Sequence, residues 1–401
     1  MMISMTALRD RRSRVIGYSV SGCPDDHRQD RGPDEEVRLV MEQVPVLARL
    51  ASRGVIIPIT PALVREGAIT RFASVDAVWL IASEALDDPL TRRAVDRLIG
   101  TGFQFALLGF PEGEPLFPSL AGSIVVLDAA RSSPAMLERQ IRTLNEEGLK
   151  PLVRGVDDRV TLQRVLAAGT TLYSGRQLAR GAAVAPDRTT EDSIIRSIRI
   201  LSAFADGRPP DASFDRFVQD DPHVATSLLK TMASAAMGVR GPRSVSHALT
   251  MLGRDAIMER MVAVTARLMG EAAQDPELGF IALRRARLCE RVGTALDTAP
   301  HPRLRVVAGL LSTLEFALGV PGEVIAERLD LSPALSDVLI ERNRPLGQLM
   351  DVVDAMDYGW WDDMLSRSER LGIRPRVIGE AWLDAWRVAR DELGATRSEE
   401  F

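Results

Sequence analysis

The side chains that could do chemistry are sparse in this sequence, and their spacing argues against most of the chemistry they could do. None of the four histidines, His27, His223, His247 and His301, is followed by an aspartate, so the His-Asp pair with which a phosphohydrolase can hold divalent metal is absent. Adjacent aspartates recur at Asp25-Asp26, Asp87-Asp88, Asp157-Asp158, Asp220-Asp221 and Asp362-Asp363. Paired carboxylates can bind Mg²⁺ or share a proton. Four of these pairs, however, fall in loops or at predicted helix starts, where a carboxylate accepts from orphan backbone N–H groups and complements the helix dipole. Cys23 and Cys289 stand far apart and outside any zinc spacing, which points to neither a disulfide framework nor a metal site and fits a reducing cytoplasm. The phosphate-binding loop, the dinucleotide fingerprint, the serine nucleophile elbow and the zincin motif are all missing. The sequence therefore predicts no catalytic residue, no metal ligand and no cofactor.

Composition narrows the classes further. Fifty Lys plus Arg against fifty-five Asp plus Glu give a net charge of −5, without the basic surplus of a nucleic-acid binder. No window approaches eighteen uninterrupted apolar residues, so no membrane span is predicted. The 401 residues suffice for two or three domains.

The elements that must position any site fall into two texts. From Arg14 to Ser174, β-rich runs alternate with helical stretches, as in βα units around a parallel sheet. The predicted strands are Val15–Val20, Val55–Ile59, Ala77–Ala82, Gln104–Leu108, Ser123–Leu127, Pro151–Arg154 and Thr171–Tyr173. Predicted helices cover Glu35–Ser52, Pro89–Gly100, Ser133–Glu147 and Asp158–Ala168, with apolar residues such as Leu137, Ile141 and Leu144 at helical spacing. Arg176 to Ser193, with Gly181, Pro186 and a polar cluster, reads as an interdomain connection. Beyond it the sequence predicts helix after helix, including one capped by Asp221 with Pro222 at its first position and Gly238 closing it, and another capped by Ser244. The helices Ser244 to Leu252 and Arg254 to Met269, joined at Gly253, have the outline of a helix-turn-helix, but Ile257, Met258, Met261 and Val262 assign them to a packed bundle. The expected boundaries are a flexible N-terminus at 1–13, an α/β domain at 14–180, a linker at 181–193, a helical domain at 194–390 and a polar tail at 391–401.

Two stretches carry a family resemblance. Asp220-Asp221-Pro222, Ser227 to Lys230, Ala233 to Ala235, Gly238, Ser244 to Leu249 and Met251 to Gly253 resemble the opening of an HDOD domain, a helical relative of the HD phosphohydrolases without their metal site. Arg284 to Glu290, Ala308 to Glu315 and Leu318 to Pro321 resemble its later helices. Where an HD protein shows its His-Asp pair, this chain has Ser312-Thr313.

The N-terminal half is similar to the degenerate EAL domain that accompanies HDOD in a bacterial signalling family, related to cyclic di-GMP phosphodiesterases on a TIM-like barrel. The resemblance implies a fold of α/β plus all-α type, a parallel β/α barrel followed by an HDOD bundle. Active EAL members hold two metal ions on strand-end carboxylates that activate water. By that likeness Ser19 stands in place of the signature glutamate, Pro58 in place of an asparagine, Leu108-Gly109 in place of paired aspartates and Val126 in place of a lysine. Arg154 replaces an acidic residue, Ser174 a glutamine, and Leu80 occupies a glutamate position with Glu84 just beyond. Asp128, Asp157 and Gly175 keep something of the pattern. At roughly 165 residues against about 250 for a full barrel, some helices are expected to be trimmed.

These readings predict a non-catalytic cytoplasmic signalling scaffold acting through a protein partner, with a homo-oligomer allowed. One alternative is a cyclic di-GMP effector using Arg154 and Arg176. The other is a residual phosphodiesterase using Glu84, Asp128 and Asp157, which requires those three carboxylates to cluster.

Overall fold

In the computed structural model, residues 2–12, 14–23, 32–51, 53–110, 120–175, 188–208, 212–234, 244–296 and 300–393 are described. Met1–Ala182 forms the bulk of one compact unit, and Ala183–Met356 with Trp360–Thr396 forms the other.

The first unit is a closed eight-stranded barrel. Its strands are β1 (Met2–Asp10), β2 (Val15–Cys23), β3 (Gly54–Pro58), β4 (Ala77–Ala82), β5 (Gln104–Leu108), β6 (Ile124–Asp128), β7 (Lys150–Arg154) and β8 (Leu172–Tyr173). From β2 to β8 neighbours run parallel, whereas β1 pairs antiparallel with both β2 and β8 and so closes the ring. The seven predicted strands are present with boundaries shifted by a few residues at most. The flexible N-terminus expected at 1–13 is corrected: Met2–Asp10 is a strand, with Met2, Met5 and Leu8 buried. Its strand signal is masked by the arginines that follow. They belong to a tight turn in which the Asp10 carboxylate accepts from the Arg12 and Arg14 amides at 2.8 and 3.0 Å.

Alternation along each strand puts one row of side chains inside the barrel and the other against the helices. Leu8, Ile56, Leu80, Ala106, Val126, Leu152 and Leu172, from seven strands, pack together inside. Val55, Ile57, Trp79, Ile81, Phe105 and Leu107 alternate with them and are buried on the outer face. The helices there are α1 (Pro33–Ala51), α2 (Pro61–Arg65), α3 (Pro89–Ile99), α4 (Pro134–Glu146) and α5 (Arg159–Ala168). Four are capped by the residue before them. Thr60, Asp88, Ser133 and Asp158 accept backbone N–H groups of the first turn, and proline follows three of these caps. Since each βα loop follows a strand's carboxyl end, these caps ring the carboxyl-terminal mouth. Most of the connection between β5 and β6, residues 111–119, lies outside the described residues.

The second unit is helical: α6 (Arg188–Ala205), α7 (Ala212–Asp220), α8 (Pro222–Ser234), α9 (Val245–Ala272), α10 (Pro276–Val292), α11 (Pro302–Leu311), α12 (Leu314–Leu318), α13 (Gly322–Leu329), α14 (Pro333–Leu339), α15 (Pro345–Tyr358), α16 (Trp361–Arg370) and α17 (Pro375–Leu393). The linker expected at 181–193 is corrected in part, because α6 already begins at Arg188. The polar run there stays helical because Ser193 donates back to the Thr189 carbonyl and bonds the Asp221 carboxylate at 2.7 Å. Residues 181–187, with Gly181 and Pro186, lie outside the described residues, as does Gly238. The tail expected from 391 gives way to helix as far as Leu393.

Asp221 and Ser244 cap α8 and α9 as their sequences predict. The kink expected at Gly253 is present with φ 76°. Ile257, Met258, Met261 and Val262 are buried, as a packed bundle requires. Helix α10 is the centre of the unit, packed on α9, α11 and α17. Gly309 allows α11 to lie directly on α10, since a Cβ there would sit 2.4 Å from the Cα of Ala286. No single helix among the described residues is long and apolar enough to cross a membrane.

Candidate functional site

The carboxyl-terminal mouth of the barrel is where a β/α barrel assembles its loops and where the substituted positions converge. They lie along the strands at different depths. Leu80 and Val126 lie within the interior cluster. Pro58 ends β3 beside Leu80 in the register, and Leu108 ends β5 beside Val126. Ser19 is half-buried on β2, paired with Ile56. Neither a hydrocarbon side chain nor a proline offers an oxygen to a divalent ion.

The polar groups that remain are engaged with one another. Asp128 ends β6 and Arg154 ends β7, adjacent in the register, and the arginine Nε donates to the carboxylate at 3.0 Å. The other carboxylate oxygen accepts from the Ala130 amide at 2.9 Å, which turns the chain out of β6. Arg154 is thus the partner of a carboxylate rather than a cation awaiting phosphate. The pair is 42% and 21% exposed, so water screens it and its net worth is about 0–1 kcal/mol. Glu84 is exposed in a short 3₁₀ turn, Ser83–Asp87, after β4. Among the described residues no group of three or more His, Cys, Asp or Glu side chains could hold a metal ion, so Glu84, Asp128 and Asp157 do not form the cluster that the residual phosphodiesterase requires. Arg176 lies outside the described residues, as do Asp25-Asp26 and His27.

The other paired aspartates serve local structure. The Thr91 hydroxyl and the Leu90 amide hold Asp88 below the usual carboxylate range, and the Thr161 hydroxyl and amide do the same for Asp158. Both carboxylates are caps. Ser174 is buried, with its amide on the Val153 carbonyl and its carbonyl accepting from the Val156 amide. Gly175 follows at φ 148°, and a Cβ there would lie 2.3 Å from the Val156 carbonyl oxygen. The glycine is therefore required by the loop that crosses it, with or without a ligand.

In the helical unit, Ser312-Thr313 joins α11 to α12. The Ser312 hydroxyl accepts from Arg285 Nε at 2.8 Å and donates to the Gly309 carbonyl at 2.7 Å. Arg285 also pairs with Asp354, which Arg342 approaches from the opposite turn while reaching Asp351 at 3.2 Å. Burial pushes the Asp354 carboxyl up, but Arg285 and Arg342 outweigh it and bring it down from 3.8 to about 2. Arg342 stands at φ 57°, in a turn held by the Asp337 carboxylate, which accepts from the Asn343 and Arg344 amides at 3.0 and 2.9 Å. The network is structural: a guanidinium group bonded to the Ser312 hydroxyl occupies the position at which the resemblance puts a His-Asp pair. No sequence pattern marks it, since its members come from α10, α11, α15 and the turn before α15.

No protein-family model matches the chain. Over 230 residues, 56% of this chain and 52% of the relative, it is 23% identical to the cyclic di-GMP phosphodiesterase CdgJ of Vibrio cholerae, so it spans about half the length of that curated relative. Among solved structures, it is similar to Klebsiella pneumoniae BlrP1 in complex with calcium and cyclic di-GMP, at 15% identity over 43% of this chain and 54% of that one, with a TM-score of 0.36. The EAL domain of Mycobacterium smegmatis DcpA is 17% identical over 43% of this chain and 89% of that one, also with a TM-score of 0.36.

Proposed function

We propose that this chain is a signalling scaffold of the cyclic di-GMP-related EAL and HDOD type, in which an EAL-like barrel has lost hydrolysis and an HDOD-like helical unit carries protein contacts. The sequence likeness to a cyclic di-GMP phosphodiesterase supports the signalling class. The observation that carries the loss of hydrolysis is the composition of the mouth: Pro58, Leu80, Leu108 and Val126 stand where ligands would be needed, and Asp128 is engaged by Arg154. Without a cluster of carboxylates nothing there would place two divalent ions against a phosphodiester or lower the pKa of a bound water.

Contact with a partner has its own support. Leu90, Met136 and Val160 are exposed in the first turns of α3, α4 and α5, all at the mouth end of the barrel. Large apolar side chains left in water on one rim favour a protein partner there. The two free cysteines are buried, in keeping with a reducing cytoplasm.

The test is incubation of the chain with cyclic di-GMP and Mg²⁺ or Mn²⁺, with the linear dinucleotide followed by chromatography. The scaffold reading requires no product above a no-protein control, and turnover that chelation abolishes would overturn it.

A further inference from the structure

The opposite, amino-terminal end of the barrel holds a feature that the signalling reading does not use. The interior of an eight-stranded barrel is ordinarily just filled by its own side chains. Here a cavity of about 520 Å³ opens beneath the interior cluster, bounded above by Leu8, Ile56 and Leu172 and running out past Val55, Phe103 and Phe105 to the end of α3 at Ile99. The pleat explains it. Ser19 pairs with Ile56, which faces inward, so two residues earlier Gly17 and Gly54 face inward as well, side by side on β2 and β3. At the level of these two glycines, two adjacent strands thus contribute no side chain. Ile16, Val78 and Ile124, on the walls, are left only partly buried.

The rim of this cup is polar and asymmetric. Leu152 faces inward, so Lys150 two residues earlier does too; likewise Ala106 places Gln104 inward, and Val78 places Asp76 inward. Lys150, at the start of β7, stands beside inward-facing Ile124 of β6 in the register and is exposed at the rim. Its ammonium makes no ion pair with any described residue. Lysine is used only twice in the chain, at Lys150 and Lys230. Asp76 lies on the far side of the ring, three strands away, next to the glycine-lined wall. One side of the mouth therefore offers a cation, and the other offers apolar depth.

We propose that the amino-terminal mouth of the barrel binds a small amphipathic carboxylate, with its acid group on Lys150 and its apolar body under Gly17 and Gly54. The volume lies within the range of small-molecule sites, which are apolar with a few convergent polar groups. A compact ammonium on a four-carbon stem suits a carboxylate that arrives at the rim, since it swings to the ligand while its head stays hydrated.

The experiment is calorimetric titration of the full chain with octanoate, octanol and octylamine, repeated on Lys150→Gln and Val78→Trp. Lys150 is exposed, so its variant tests the site without disturbing the core; circular dichroism checks the fold of Val78→Trp. The expected result is saturable 1:1 binding of octanoate, weakened about tenfold in Lys150→Gln, in line with the ~1.4 kcal/mol of one charge-assisted contact. Binding should be abolished in a folded Val78→Trp, with octylamine giving no saturable heat. Absence of octanoate binding, equal affinity in wild type and both variants, or tighter binding of octylamine would overturn the proposal.

Discussion

Replacing Asp354 by asparagine removes the carboxylate that Arg285 and Arg342 share inside the helical unit. Its pKa falls from 3.8 to about 2 on folding. At about 1.4 kcal/mol per pH unit, the ionised form contributes about 2 kcal/mol of stability. Because the folded value is the lower one, that contribution is present above about pH 4 and is lost as the pH falls toward 2. Asparagine does more than cancel the titration: it leaves two guanidinium groups short of charge where Arg285 is 4% exposed, and breaking a buried pair costs about 3–5 kcal/mol. Four of the five tryptophans, Trp360, Trp361, Trp382 and Trp386, belong to the helical unit, so urea unfolding followed by tryptophan fluorescence reports chiefly on it. At pH 7 the variant should lose about 3–5 kcal/mol, and the gap to wild type should narrow by about 2 kcal/mol between about pH 5 and pH 2.5. A loss under about 1 kcal/mol, or a gap that ignores pH, would refute this account of the network.

Other substitutions test the barrel and the helix packing. Gly175→Ala should destabilise the barrel by about 2 kcal/mol or more in thermal unfolding, because its Cβ meets the Val156 backbone at a φ of 148°. Gly309→Val should cost about 3 kcal/mol in urea by forcing α11 off α10. Asp158→Ala should cost about 1 kcal/mol at pH 7 through loss of the α5 cap, and wild type should approach the variant as the pH falls below the ordinary carboxylate value, since the folded carboxyl titrates lower. Asp128→Asn and Arg154→Gln should each shift the barrel's stability by less than about 1 kcal/mol, the mark of a screened rim pair.

Much of the barrel is legible in the sequence, for reasons its residues make plain. Ala77–Ala82 and Gln104–Leu108 are short apolar runs bounded by turn residues, and their observed limits match the predicted ones. The caps Asp88, Ser133 and Asp158 carry their function in their own side chains, so residue type and spacing alone mark these helix starts. Strand β1 is not legible. Its pairing with β8 is contact across some 160 residues of chain, and the arginines from Arg9 to Arg14 hide its end. The start of α6 escapes the local pattern because Ser193 is satisfied by Asp221, a partner 28 residues away.

The candidate site divides in the same way. That Leu108 and Val126 cannot hold metal follows from their chemistry alone. That Arg154 is held by Asp128 does not, because it depends on adjacent strand ends in one register. The amino-terminal cup is invisible in the sequence: Gly17 and Gly54 open it only because β2 and β3 place them side by side. The network around Asp354 likewise joins residues dispersed from Arg285 to Arg342.

The most direct test of the central claim is calorimetric titration of the purified chain with cyclic di-GMP in the presence of Mg²⁺, with the nucleotide recovered and examined for cleavage. A mouth built of Pro58, Leu108, Val126 and a self-paired Asp128 and Arg154 predicts neither saturable heat nor linear product. Micromolar binding without cleavage would contradict the scaffold reading in favour of a nucleotide effector, and metal-dependent cleavage would contradict the claim that the barrel has lost hydrolysis.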